Sequence, residues 1–491
     1  MKAFRTLIAA LLCAFLTGCM PFAAELESVD QSYNMETEAE AVEPAVGDWV
    51  ADWQTEATLY YPAQNQQALV ETRRTLDVGA RQTLEERLIE EILSGDVPAG
   101  ARSAAPEGTT LLSVRRSENA AVVDLSIEAG AVESSQQLFF MRAAIARTLC
   151  AACNLETADV LIDGHALSLS ILPQGAIDCG ETPAATQFMQ IAADEELAEE
   201  GSAYTVERRA MLYTISADGQ WLLPCARTLT IENGDCLAAL LAALCEETGD
   251  ACLNAPLPAD TPVKDAQLID LSDGRRVVRL TLSGGVIPAE NEWMAYGALV
   301  CSLTGFLPDI DGVQIYIGEG QLVRLDSPSG EVVFEDGVLT RSMFLTAIGR
   351  TAVIYMTAEN GNLHPLTRAM AAEDILSPRM TIAELFGEPR AWERDVLRVV
   401  PDGLSIDDLL GVRIENGEAV LNFSARFYAG CQRLTAQQER NLVYALVNTL
   451  TERPDVCVVR FQIEGEPADK LASSISLMSP LLRNPGLIEE K

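Results

Sequence analysis

Three serines are the first residues in this sequence that could act as nucleophiles, because each lies at the end of an alternating apolar segment. They are Ser126, Ser283 and Ser424. A serine nucleophile needs a base within hydrogen-bonding distance. The chain has two histidines, His165 and His364, which occupy non-equivalent positions relative to the serines, and it has no G-x-S-x-G segment. We therefore expect the serines to end strands and hold turns.

Carboxylates are the second candidate for chemistry, since a pair of acids can hydrolyse a glycosidic bond. The chain has 72 acidic residues against 35 basic ones, a net charge of −37. No spacing among the acids selects a catalytic pair, and neither histidine belongs to a cluster typical of a metal site. We predict no enzymatic activity, no catalytic residue, no metal site and no cofactor. The charge disfavours nucleic acid as a partner.

Cysteines could bind metal or form disulfides. Cys150 and Cys153 form a single C-x-x-C at a predicted helix end, which without a second pair is a weak zinc signal. We expect buried or disulfide-linked thiols there. Four further cysteines cluster at spacings that match no metal module. These are Cys225, Cys236, Cys245 and Cys252.

The elements that carry these residues recur three times. Each copy has a helix-like run that ends on a leucine, and a glycine follows fifteen residues later, directly after an alternating strand. The leucines are Leu149, Leu303 and Leu450, and the glycines are Gly164, Gly318 and Gly465. A repeat of roughly 120 to 150 residues is long enough to be a whole domain.

Each copy reads as β-β-α-β-β-α-β. Leu84, Leu88 and Ile92 recur at every fourth residue, which predicts an amphipathic first helix. The Asn416-Gly417 pair favours a hairpin turn between two later strands. The sequence therefore predicts an α+β fold of three tandem domains, in which two helices cover one face of a small sheet. The other face and the sheet edges would be available to partners.

An arginine recurs at the same strand position in all three copies. These residues are Arg74, Arg227 and Arg368. Their guanidinium groups suit bidentate pairing with carboxylates. Two interpretations stay open: a salt bridge to a partner or neighbouring domain, or an internal pair with an acid of the same domain.

The N-terminus has the features of an export signal. Lys2 and Arg5 precede a short apolar run that ends in Leu16, Thr17, Gly18 and Cys19. This segment resembles the lipobox of bacterial lipoproteins, and the resemblance implies that Cys19 is lipidated and becomes the mature N-terminus. Residues 20–56 contain no lysine or arginine, so we predict a flexible acidic tether.

These patterns divide the chain into eight segments. We predict a signal peptide with its lipobox (1–19), a tether (20–56), a first domain (57–175), a linker (176–201), a divergent second domain (202–326), a second linker (327–349), a third domain (350–469) and a C-terminal tail (470–491).

Several motifs of the first and third copies resemble the GerMN domain of sporulation and spore-germination lipoproteins. They are Leu59–Pro62, Val70–Arg73, Leu111–Val114, Ala121–Ser126, Val160–Gly164 and Ala419–Ser424. The second copy departs most, with Thr281 where the others carry Asp124 or Asn422. The resemblance implies a fold that assembles or stabilises envelope complexes.

We therefore expect a lipid-anchored protein on the outer face of the cell membrane. It would bind envelope proteins through sheet faces or edges, with sporulation or germination as its setting and oligomers as one possible form. One alternative is an extracytoplasmic ligand-sensing lipoprotein, which requires a concave pocket with converging polar groups. A cell-wall-modifying enzyme is the less favoured alternative.

Overall fold

The computed structural model describes residues 43–180, 184–199, 203–259, 261, 263–283, 287, 292–334 and 336–489. The predicted signal peptide, with Leu16, Thr17, Gly18 and Cys19, and the first part of the predicted tether lie outside the described residues. Small β-sheets and α-helices alternate within the described ranges, so the fold is mixed α/β. Among the helices described there, none is both long and apolar enough to cross a bilayer.

The first repeat comes after a short strand, β1 (Gly47–Val50), which joins the sheet of another repeat. Its elements are β2 (Trp53–Pro62), β3 (Leu69–Val78), α1 (Leu84–Leu93), β4 (Leu111–Ser117), β5 (Ala120–Leu125), α2 (Ser135–Cys153), β6 (Thr157–Ile162), β7 (Ile177–Asp178) and α3 (Ala184–Glu199).

The second repeat has the same order with short additions. Its elements are β8 (Thr205–Ser216), β9 (Leu222–Glu232), α4 (Cys236–Leu244), β10 (Leu253–Asn254), β11 (Val263–Asp270), β12 (Arg276–Leu282), α5 (Glu292–Phe306), β13 (Gly312–Ile317), β14 (Gly320–Gln321), β15 (Arg324–Ser327), β16 (Gly330–Val333), β17 (Val338–Leu339) and a 3₁₀ turn (Arg341–Ala347).

The third repeat repeats the order again and adds a helix before the crossover helix. Its elements are β18 (Arg350–Ala358), β19 (Leu363–Met370), α6 (Pro378–Phe386), β20 (Val396–Leu397), β21 (Leu409–Glu415), β22 (Glu418–Phe423), α7 (Ala425–Cys431), α8 (Ala436–Leu450), β23 (Val458–Ile463), β24 (Glu466–Pro467) and β25 (Leu481–Leu482).

Each repeat places its first hairpin and its later strands in separate sheets, which corrects the predicted single sheet, and in the second repeat β15 and β16 form a further two-stranded sheet. In the first repeat β2 pairs with β3, while β4, β5, β6 and β7 form a four-stranded sheet in that order. β5 and β6 are parallel because α2 provides the crossover between them. α2 packs against both β2 and β6, so it joins the hairpin to the sheet.

One hydrogen bond fixes this joint in all three repeats. The hydroxyl residue before each recurring leucine accepts the main-chain N–H of a tyrosine on the first hairpin strand. The pairs are Thr148 with Tyr60 (2.9 Å), Ser302 with Tyr213 (2.9 Å) and Thr449 with Tyr355 (3.2 Å). The following leucines, Leu149, Leu303 and Leu450, are fully buried. The three copies therefore place equivalent residues in equivalent surroundings.

Local sequence explains where the helices begin. Thr83 and Glu86 form a capping box at α1, and Leu88, Ile89 and Ile92 form its buried face. Such reciprocal capping satisfies main-chain N–H groups that a helix start leaves unpaired. Asp235 caps α4 by accepting the main-chain N–H of Ala238. The predicted Asn416-Gly417 turn has positive φ at both residues, as a type I′ turn requires.

The predicted tether, linkers and tail contain ordered elements. Linker 176–201 includes α3, whose Phe188 packs on Phe139 at a ring distance of 5.4 Å. Linker 327–349 includes β17 and the buried Phe344. In the tail 470–491, β25 pairs with β23. These segments carry buried apolar residues between their polar ones, and that burial stabilises them against a neighbouring repeat.

The end of the predicted tether forms an N-terminal arm, residues 44–50, that binds the third repeat. β1 pairs in parallel with β21 at the edge of that sheet, with Gly47 opposite Gly411. The Ala45 N–H donates to Gln462 Oε1 (3.1 Å), and the Ala45 carbonyl accepts from Asn422 Nδ2 (2.9 Å). The first described residues therefore complete the sheet of the last repeat.

Gly411 permits this contact, because a Cβ there would lie 2.5 Å from the Gly47 carbonyl oxygen and 2.6 Å from that of Ala45. We expect Gly411→Ala to displace the arm from β21. Hydrogen exchange at residues 47–50 should accelerate more than about tenfold, which corresponds to about 1.4 kcal/mol of local stability. Ser113→Ala, at the equivalent position of β4, is the control and should leave exchange there unchanged. Unaltered protection of 47–50 in Gly411→Ala would contradict the assignment.

Candidate functional site

The candidate nucleophiles hold turns and helix starts. Ser126 Oγ accepts the N–H of Thr110 at 3.0 Å. Ser424 Oγ accepts the N–H of Phe427, which caps α7, and donates to Asp408 at 2.9 Å. Both hydroxyls are therefore engaged in local structure. Ser283 directly follows β12.

The two histidines lie in unrelated places. His165 belongs to the turn after β6, where its main-chain N–H donates to the Ile162 carbonyl at 3.1 Å. His364 lies on β19, and its Nδ1 is 2.8 Å from Glu489 in the tail. They do not form an equivalent pair, as their sequence positions predict. Among the described residues, no group of three or more histidine, cysteine or acidic side chains could hold a metal ion.

The three recurring arginines pair with acids of their own repeats. The contacts are Arg74–Glu91 (2.6 Å), Arg227–Glu246 (3.6 Å) and Arg368–Glu393 (2.7 Å). Arg74 also contacts Asp96 at 2.9 Å. The geometry therefore favours the internal interpretation over a salt bridge to a partner. Each pair ties a hairpin strand to the segment that follows it.

The cysteines divide into one disulfide and separate thiols. Cys150 is bonded to Cys179, across 29 residues. Cys153 stays a buried thiol, and burial raises its pKa far above the ordinary value. The four clustered cysteines of the second repeat are free thiols, and burial raises their pKa values as well. A raised pKa disfavours the reactive thiolate.

The ends of the central strands carry a shared polar contact. Asp124 on β5 accepts the N–H of Gly164 at 2.8 Å, and Asn422 on β22 accepts that of Gly465 at 2.8 Å. These side chains thus hold the turn after the neighbouring parallel strand. Asn422 also binds the N-terminal arm, because its side-chain NH₂ group donates to the Ala45 carbonyl. An aspartate at this position could not make this bond, since a carboxylate and a carbonyl are both acceptors.

The outer face of the first sheet is buried, whereas the sequence predicts an available face. Ala120, Val122 and Leu161 on that face pack into the core of the second repeat with Met211 and Leu222. Burial of apolar side chains of this kind is the main force that holds domains together. This face therefore serves contact between repeats and is not free for a partner.

Arg341 locks the same boundary. Its guanidinium donates to the Cys301 carbonyl (3.0 Å) and to the Tyr213 hydroxyl (2.5 Å), and it lies 4.9 Å from the centre of the Tyr213 ring. Its side chain also lies beside Gly164 of the first repeat. The positive charge of Arg341 also acts on Asp124. Burial raises the pKa of the Asp124 carboxyl, and the hydrogen bond from the Gly164 N–H and the charge of Arg341 partly offset that rise.

A buried charge cluster joins the first and third repeats. Glu85 on α1 lies 2.9 Å from Arg116 on β4 and 3.1 Å from Arg350 on β18. The N–H of Glu118, at the end of β4, donates to the hydroxyl of Thr351 at 2.6 Å. Burial by itself would raise the pKa of Glu85, but Arg350 and Arg116 lower it to about 2. The cluster therefore holds β18 beside β4.

One cavity tests the ligand-sensing alternative. It has a volume of about 260 Å³ and is lined by Arg102, Gln137, Phe140 and Met141 of the first repeat, among others. Small-molecule sites usually enclose about 300 to 1,000 Å³. This cavity lies below that range, whereas the more open groove between α4 and β11, of about 800 Å³, lies within it.

Comparison with known proteins identifies the repeated fold. The family model described as "Germane: Sporulation and spore germination" matches residues 58–168 and 353–469, which lie in the first and third repeats. These two segments of the chain therefore match the family of GerMN domains. No curated protein matches the chain.

Two solved structures from Bacillus subtilis are similar to parts of the chain. The tandem GerMN domains of the sporulation protein GerM are 20% identical, with 56% of this chain and 98% of that chain covered and a TM-score of 0.23. The first GerMN domain of GerM is 18% identical, with 27% and 96% covered and a TM-score of 0.22.

Nothing in the sequence singles out Arg341, Glu85 and Arg350, because single charged residues outside the recurring motifs carry no periodic signal. The arm is not among the predicted elements either. The lone Gly411 within a strand could have indicated it, since such a glycine often marks a bulge or a close backbone approach.

The Glu85 cluster predicts a loss of stability in acid. A carboxylate whose pKa falls from 4.5 to about 2 on folding stabilises the folded state above pH 4.5, and this contribution disappears as the pH falls toward 2. We expect Glu85→Gln to lower the unfolding free energy at pH 7 by about 3 kcal/mol. Denaturant titrations at pH 7, 5 and 3 should show that the difference shrinks below pH 4.5. Glu90→Gln, on the exposed side of α1, is the control, and a deficit equal at all three pH values would refute the prediction.

Proposed function

We propose that this protein is a lipid-anchored, extracytoplasmic assembly factor of a bacterial envelope that acts in sporulation or germination. The match of the Germane family to two segments of the chain carries this proposal. The second repeat, with the same element order, acts as a third and divergent GerMN-like domain. The partners are envelope proteins, and the membrane is reached through a lipid on Cys19.

Three observations support this proposal. The Cys150–Cys179 disulfide suits an oxidising compartment outside the cytosol. The candidate nucleophiles Ser126 and Ser424 are engaged in turn and cap hydrogen bonds, which favours a binding role over a catalytic one. Contacts between the repeats also fix their relative positions, which keeps the exposed surfaces in a constant arrangement for binding partners.

Lipidation is the first test. With labelled palmitate in a bacterial host, we expect the wild-type chain to carry label and to sediment with membranes, and its mature N-terminus by mass spectrometry to be an acylated Cys19. Cys19→Ser should lose the label, because the thiol is the acylated group. Cys13→Ser, within the apolar run, is the matched control and should keep it. A mature wild-type protein without acyl groups would remove the anchor from the proposal.

Partner capture is the second test. Affinity purification from detergent-solubilised membranes should recover defined envelope proteins with the wild-type chain and not with an unrelated lipoprotein bait. Recovery of no envelope protein above that background would remove the assembly role.

A further inference from the structure

The three repeats share one edge-strand geometry. β4, β11 and β21 each form the first strand of the larger sheet, and each has a β-bulge at the same place, before Ser113, Asp265 and Gly411. These three residues lie opposite Asp124, Thr281 and Asn422 on the next strand. The edges can therefore be compared residue by residue.

Two of the three edges are covered by other parts of the chain. On β21, the arm adds a parallel strand in which Val50 lies opposite Ile414 and packs on the core, so that Ile414 is only 2% exposed. Asp48 of the arm forms a salt bridge of 2.9 Å with Arg379, at the start of α6. The arm thus fills the space between edge strand and first helix.

On β4, the first strand of the third repeat takes this place. Thr351 accepts a hydrogen bond from the end of β4, and Arg350 reaches Glu85 on the first helix. Arg116, which is equivalent to Ile414, is held in the same cluster. The chain therefore covers the edges of its first and third repeats by different means.

The edge of the second repeat differs. Within the parts of the chain that the structure describes, β11 pairs only with β12, just as β4 pairs only with β5. What distinguishes β11 is the exposure of its side chains. Leu268, which is equivalent to Ile414, is 45% exposed. A groove of about 800 Å³ runs between α4 and β11, and its apolar lining includes Leu237, Leu241 and Val263. The equivalent strand and helix of the third repeat, β21 and α6, are the ones that the arm contacts.

We propose that β11 binds an extended segment of another envelope protein as an added parallel strand, with alternate apolar side chains in the groove beside α4. This proposal rests on the proposed function and gives the assembly role a site. Main-chain hydrogen bonds to the edge would supply affinity, and the groove would select the side chains.

Charge identifies the kind of segment that fits. Asp235, Glu246 and Glu247 line the groove, with Arg227 3.6 Å from Glu246. Leu237 is the second residue of α4, the position that Arg379 occupies in α6. An acidic side chain placed like Asp48 would therefore not find the arginine that pairs with Asp48 in the third repeat. The partner segment is therefore apolar and basic. A second copy of this chain, with its acidic arm and net charge of −37, fits poorly.

Peptides of the arm sequence provide the probe. Two labelled peptides are compared: one has the sequence of residues 44–51, and the other has the same sequence with Asp48→Lys. Each is titrated with the full-length protein in detergent. We expect the lysine peptide to bind at least tenfold more tightly than the aspartate peptide, since it meets an acidic rim. It should also protect residues 263–270 from hydrogen exchange.

Variants of the exposed groove wall test the location. Ala242→Trp fills the groove and should weaken binding of the lysine peptide at least tenfold, and Leu268→Glu on the edge strand should do the same. Ala192→Trp, on the exposed surface of α3, is the matched control and should bind as the wild type does. Undetectable binding, protection elsewhere than β11, or equal affinity in Ala242→Trp would each overturn the proposal.

The partner-capture experiment separates this inference from the proposed function. Envelope proteins recovered by the wild type should be lost with Ala242→Trp. If Ala242→Trp still recovers them, the β11 site is wrong while the assembly role stands. If the peptide binds as expected and the wild type recovers no envelope protein, the assembly role is wrong while the site stands.

Discussion

The unpaired edge of a β-sheet is the constraint that shapes this molecule. An edge strand presents main-chain N–H and C=O groups that attract other strands, and natural proteins cover or disrupt such edges. Here a shared bulge interrupts the pairing of all three edge strands, and two of the edges are also covered by distant parts of the chain. These coverings bring the first and last described segments into one sheet.

The same solutions tie the repeats to one another. The arm links the segment before the first repeat to the third repeat, Arg350 links the third repeat to the first, and the hairpin of the second repeat buries the outer face of the first sheet. Loss of any of these links would leave either an unpaired buried charge or an exposed apolar surface. The repeats therefore form one connected body from Pro44 onward.

The elements within each repeat could be predicted from sequence, because local patterns determine them. The spacing of Leu84, Leu88 and Ile92 predicts α1, and the Asn416-Gly417 pair predicts its turn. The pairing of these elements into two sheets could not be predicted, since it depends on which faces bury together. The ordered linkers were also missed: Phe188 contacts Phe139 only after the chain has folded, and composition alone does not reveal that contact.

The site follows the same division between local and distant effects. The recurring arginines were visible because repetition marks them, yet their partners are internal. The residues that distinguish one edge from another are not repeated: Gly411 admits the arm, Glu85 holds Arg350, and Leu268 lies exposed. Repetition in sequence thus identifies the common scaffold, and departure from it marks where each copy makes its own contacts. The covered edges of the first and third repeats contribute to the stability of the fold. A partner that binds the edge of the second repeat, by contrast, would not have to displace any contact between the repeats.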